Sequence, residues 1–70
     1  MNINFSEVFK KLRRERELTQ EQAAEVFCVS PQAVSRWENA QTSPDISLLP
    51  IIAEYFGVSI EMLLGVDTAR

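Results

Sequence analysis

Gln32, Ser35 and Arg36 place an amide, a hydroxyl and a guanidinium within little more than one helical turn. A glutamine amide can pair bidentately with the edge of adenine, and a guanidinium with that of guanine. Such a set suits reading hydrogen-bond patterns, not bond making or breaking. The chain holds no histidine, a single cysteine (Cys28), no glycine-rich phosphate loop, and acids scattered over several segments. Imidazole catalysis, the common zinc patterns and an internal disulfide are thereby excluded. An enzyme is not expected, nor is a cofactor or a metal.

These side chains need a helix held with one face outward. Ser30 is a good N-cap, and Pro31 follows at the first helical position, where a missing N–H costs nothing. Val34 and Trp37 are spaced i, i+3 and face inward, which leaves Gln32, Ala33, Ser35 and Arg36 outside. That spacing makes Trp37 a core residue and not a platform for stacking bases. Just upstream, Thr19 and Gln22 form a Thr-x-x-Gln capping box for another helix, with Ala23, Ala24 and Phe27 as its inner face. The two short helices are joined by the turn Cys28-Val29-Ser30. This spacing reads as a helix-turn-helix, whose second helix can enter the major groove of DNA.

The remaining elements are also helical. Phe5, Val8, Phe9 and Leu12 form one apolar stripe of a first helix. Asn4 reads as its N-cap with Glu7 three residues on, and the helix fades near Glu17. After a polar loop over residues 39–44, Asp45 is expected to cap a fourth helix running to about Phe56. Leu48, Leu49, Ile52, Ala53 and Phe56 are its inward positions. Pro50 implies an irregular first turn or a later start. Gly57 ends that helix, Ser59 caps a fifth, and Gly65 terminates it. The expected organisation is one domain over residues 1–66, with residues 67–70 as a tail or the start of a linker.

Seventy residues with 46% hydrophobic content suffice for one small core. No apolar run approaches the roughly 20 residues that cross a bilayer, so a soluble, cytoplasmic protein with no membrane partner is expected. Net charge is −3, yet it is unevenly spread. Residues 1–36 carry six basic groups against five acidic, a net of +1; residues 37–70 carry Arg70 against five acids, a net of −4. A polarised molecule can present a basic face despite an acidic total.

Over about residues 5–65 the chain resembles the Cro and phage-repressor (XRE-type) helix-turn-helix family. The resemblance rests on Leu-Arg-Arg-Glu-Arg-Glu-Leu-Thr-Gln-Glu-Gln-Ala-Ala, on Val-Ser-Pro-Gln-Ala-Val-Ser-Arg-Trp-Glu-Asn and on Phe-Gly-Val-Ser-Ile-Glu-Met-Leu-Leu-Gly. It implies an all-α, five-helix bundle of the lambda-repressor-like type, binding double-stranded DNA as a homodimer on a palindromic operator. By the same resemblance, Gln20 matches a position that grips a phosphate, and Ser30 and Asn39 match backbone-contacting positions. Pro31, Gln32, Ala33 and Arg36 match positions facing base edges, and Arg13 and Glu38 match an ion pair bridging the first helix to the end of the third. Many proteins of this type continue into a sensing or oligomerising domain, or meet a partner protein.

Two residues depart from the family's pattern. Cys28 and Ala40 stand where glycine is common, and a non-glycine residue at positive φ costs about 1 kcal/mol or more. The turn at Cys28 is therefore either strained or differently shaped. Cys28 has no basic neighbour in sequence that would activate its thiol. Ser35 suits phosphate contact and plain solvation equally, as do Gln41, Thr42 and Ser43 in the loop. Lys10, Lys11 and Arg14 form a solubilising face or extend a DNA surface. Tyr55, Ile60, Met62 and Leu63 offer more apolar surface than a small core hides, which suits a dimer interface or another domain. The acidic half motivates an alternative reading of the scaffold as an antitoxin-like or adaptor module that binds protein.

Overall fold

The computed structural model describes residues 4–65. Helices α1 (Phe5–Glu15), α2 (Gln20–Phe27) and α3 (Pro31–Glu38) are followed by a 3-10 turn (Ile46–Leu48), α4 (Leu49–Phe56) and α5 (Ile60–Leu64). No strand occurs among the described residues. The architecture is the all-α, five-helix bundle implied by the resemblance. The expected domain end at 66 and the tail at 67–70 lie outside the described residues.

Phe9 is the hub of the core. It is fully buried and its ring meets Phe5 of α1 at 5.4 Å, Trp37 of α3 at 5.5 Å, Phe56 of α4 at 5.9 Å and Phe27 of α2 at 6.1 Å. The Trp37 and Phe56 contacts are edge-to-face, the Phe5 contact is stacked, and such ring pairs add to the area buried by each ring. Val34, Ile52 and Leu63 are the other large side chains that are fully buried, and Ala23 and Ala24 let α3 approach α2 closely. Leu12, Leu48 and Leu49 are half-buried against this cluster.

Helix ends follow one device repeated. After α1, α2, α3 and α4, the chain enters the left-handed region at Glu17 (φ 57°), Cys28 (φ 58°), Ala40 (φ 59°) and Gly57 (φ 70°). The next residue then donates its N–H back over the last turn: Leu18 to Arg13, Val29 to Ala24, Gln41 to Arg36 and Val58 to Ala53. This satisfies carbonyls that the helix cannot. Leu18, Val29 and Val58 also bury apolar surface against the core. The turn at Cys28 thus keeps the shape that glycine favours, with a side chain present. Glu17 adopts the same conformation without any sequence signal.

Two expected caps differ in detail. Asn4 precedes α1, but its side chain accepts no N–H from the helix; instead its Nδ2 donates to Glu7 Oε1 at 3.2 Å. The Asn4 backbone N–H donates to Leu64 O at 2.6 Å, tying the start of α1 to the end of α5. Asp45 caps the 3-10 turn, not α4, accepting the Ser47 N–H at 3.2 Å. Pro50 lies in the first turn of α4, where no donor is needed, so the α-helix begins only at Leu49.

Candidate nucleic-acid interface

The capping box of α2 is complete. Thr19 Oγ1 accepts the Gln22 N–H at 3.0 Å, and Gln22 Oε1 accepts the Thr19 N–H at 2.9 Å. A helix cannot satisfy its first N–H groups internally, so those of Gln20 and Glu21 stay directed out of this end. Ser30 Oγ likewise accepts the Ala33 N–H at 3.1 Å and starts α3. Val34 and Trp37 are buried and fix the rotation of α3 about its axis. Pro31, Gln32 and Arg36 are consequently exposed on its outer face. Ala33 and Ser35 are only half-exposed, because Ala33 packs partly against the core; the outer face is narrower than the spacing suggested.

Arg13, Gln20 and Glu38 meet where α1, α2 and α3 converge. Arg13 donates through Nε to Glu38 Oε2 at 2.5 Å and through Nη2 to Oε1 at 2.9 Å, while its Nη1 reaches Leu18 O at 2.7 Å. Gln20 Nε2 donates to Glu38 Oε1 at 3.0 Å. The Glu38 side chain is 2% exposed. Burial alone would push its carboxyl up. Hydrogen bonds from Arg13 and Gln20, with the charges of Arg13 and Lys10, outweigh that and hold it below the ordinary glutamate range. The Gln20–Glu38 bond spans 18 positions and had no signal in the sequence.

Asn39, Gln41 and Thr42 are exposed beyond the end of α3. Gln41, Thr42 and Ser43 line a shallow groove with Ser6, above the buried rings of Phe5 and Trp37. Lys10, Lys11 and Arg14 lie on α1 with Glu7 and Glu15 between them, so that face is mixed in charge. Tyr55, Ile60 and Met62 are exposed, whereas Leu63 is fully buried. Among the described residues no cluster of His, Cys, Asp or Glu could hold a metal, and no helix is long and apolar enough to cross a membrane.

Comparison with known proteins agrees with this geometry. Residues 9–63 match the helix-turn-helix family. The HTH-type transcriptional activator BcrR of Enterococcus faecalis is 40% identical over 63 residues, covering 90% of this chain and 31% of BcrR. The chain therefore spans about a third of that relative's length. A transcriptional regulator from Listeria innocua superposes with a TM-score of 0.90 at 31% identity, over 100% of this chain and 65% of that one. The P22 c2 repressor, crystallised with a synthetic operator, superposes with a TM-score of 0.81 at 25% identity, over 90% of this chain and 96% of the repressor. With its capped helix pair, its outward polar face and this match over most of its length, the chain belongs to the helix-turn-helix family of the Cro and phage-repressor type.

Proposed function

We propose that the chain is a DNA-binding transcriptional regulator that reads a specific sequence with α3 in the major groove. The observation that carries this reading is the exposed face of Pro31, Gln32 and Arg36, held outward by buried Val34 and Trp37 on a scaffold similar to an operator-bound repressor. Gln32 pairs with adenine and Arg36 with guanine, while Pro31 and the exposed part of Ala33 offer apolar contact to a thymine methyl. Gln20, Ser30, Ser35, Asn39, Gln41 and Thr42 set register on the phosphates. The open N–H groups at the start of α2 add a partial positive charge there. Arg13 and Glu38 hold the helices that carry these groups.

The functional unit is residues 1–66 acting as a cytoplasmic homodimer, with half-sites about 34 Å apart on a palindromic operator. Exposed Tyr55, Ile60 and Met62 supply apolar surface for the second protomer. No catalytic step belongs to this function. An anisotropy titration at low salt against a mixed duplex pool tests it. Saturable binding that weakens as salt rises supports the reading. No binding to any duplex overturns it in favour of the protein-interaction module.

A further inference from the structure

We propose that Glu38 is a positioning residue for the phosphate contact of Gln20, acting by fixing which end of the Gln20 amide faces the DNA. The inference rests on the DNA-binding reading above. A glutamine amide is ambiguous toward a phosphate: its NH2 attracts the anion, its oxygen repels it, and the two ends exchange by a simple flip. Glu38 removes the ambiguity. An ionised carboxylate only accepts hydrogen bonds, so the end of Gln20 that approaches Oε1 at 3.0 Å must be the NH2. One N–H of Nε2 is spent on Glu38, and the second remains on the same nitrogen for a phosphate oxygen.

Glu38 is itself buried, its side chain 2% exposed, and Arg13 holds it on both oxygens. Gln20 is the first residue of α2 and Glu38 the last of α3. The bond therefore also sets the spacing between the end of α2 that meets the backbone and the helix that meets the bases. Replacing Glu38 by glutamine keeps the shape but supplies an NH2 of its own. The Gln20 amide can then turn its oxygen outward.

A double-mutant cycle on duplex affinity tests this, with Glu38→Gln, Gln20→Ala and the combination, each shown folded by circular dichroism. Gln20→Ala is expected to weaken binding about tenfold, the loss of one hydrogen bond to a charged group. Glu38→Gln is expected to weaken binding several-fold alone, and by less than about twofold once Gln20 is alanine. Equal losses in both backgrounds overturn the inference while leaving DNA binding intact. Failure of the unsubstituted protein to bind any duplex overturns both. If Glu38→Gln does not fold, the Gln20 side-chain amide is followed by NMR in the unsubstituted protein. Two well-separated proton resonances that shift on adding duplex are expected; a pair matching solvent-exposed glutamines and indifferent to duplex overturns the inference.

Discussion

Arg13 and Glu38, 25 positions apart in the chain, meet as a bidentate pair with Nε–Oε2 at 2.5 Å and Nη2–Oε1 at 2.9 Å. Because Gln20 joins the same carboxylate, one buried anion fastens α1 to both ends of the helix-turn-helix, while the Arg13 guanidinium also holds the turn carbonyl of Leu18. Stability and the outward presentation of α3 thus share a joint.

Removing the cation from that joint should be costly. Arg13→Met leaves a buried carboxylate without its partner, a loss of about 3 kcal/mol or more. In a domain of this size the thermal midpoint should fall by roughly 10 °C or more. Adding Glu38→Leu should restore most of the loss, since an apolar pair can replace a buried ion pair. Calorimetric melting of the two variants checks both; an unchanged midpoint in the single variant would mean the pair is not holding the bundle.

Acid should loosen the same joint. The Glu38 carboxyl is held low in the folded chain, so the unfolded chain binds its proton first as pH falls. The stabilisation is present in full above the ordinary glutamate range and is lost as pH drops through the lower, folded value. Urea midpoints taken from neutral pH into the acid limb should fall less steeply in Glu38→Gln. Asp45 is also held low by hydrogen bonds from Ser47 but is fully exposed, so Asp45→Asn should flatten the acid limb less than Glu38→Gln does.

Backbone strain offers a third check. Cys28→Gly and Ala40→Gly should each raise stability by roughly 0.5 kcal/mol, the relief of positive φ less glycine's larger chain entropy. Glycine is required more strictly at Gly65, where φ is 73° and an added Cβ would lie 3.0 Å from Asn4 Cβ and 3.1 Å from Asn4 N. Gly57 has open space around it at a similar φ. Gly65→Ala should therefore lower the urea midpoint more than Gly57→Ala, and equal effects would contradict the close approach of α5 to α1.

Much of the fold was legible because its signals are local. The Thr19–Gln22 box, Ser30 before Pro31, and the apolar stripe at Phe5, Phe9 and Leu12 each act within one or two turns. What escaped was set from a distance. The Asn4 backbone N–H goes to Leu64 and not to the Glu7 side chain, as a capping box would have it, and Asp45 serves a 3-10 turn because Pro50 delays α4. Glu17 turns left-handed with nothing in its own chemistry to announce it. In the site, the outward placement of Gln32 and Arg36 followed from helical spacing, whereas the Gln20–Glu38 bond depends on how α2 packs across α3. Spacing also could not show that Ala33 leans partly into the core.

The most direct test is selection of bound sequences from a random duplex library by the unsubstituted protein and by Gln32→Ala. The expected result is a palindromic consensus whose half-sites lie about one helical turn apart. Gln32→Ala should relax preference at one or two positions of each half-site and leave the others unchanged, at a cost of about 1–3 kcal/mol for the lost bidentate contact. Recovery of no consensus would contradict base reading by the outward face of α3, and recovery of the same consensus by both proteins would contradict the role of Gln32 in it.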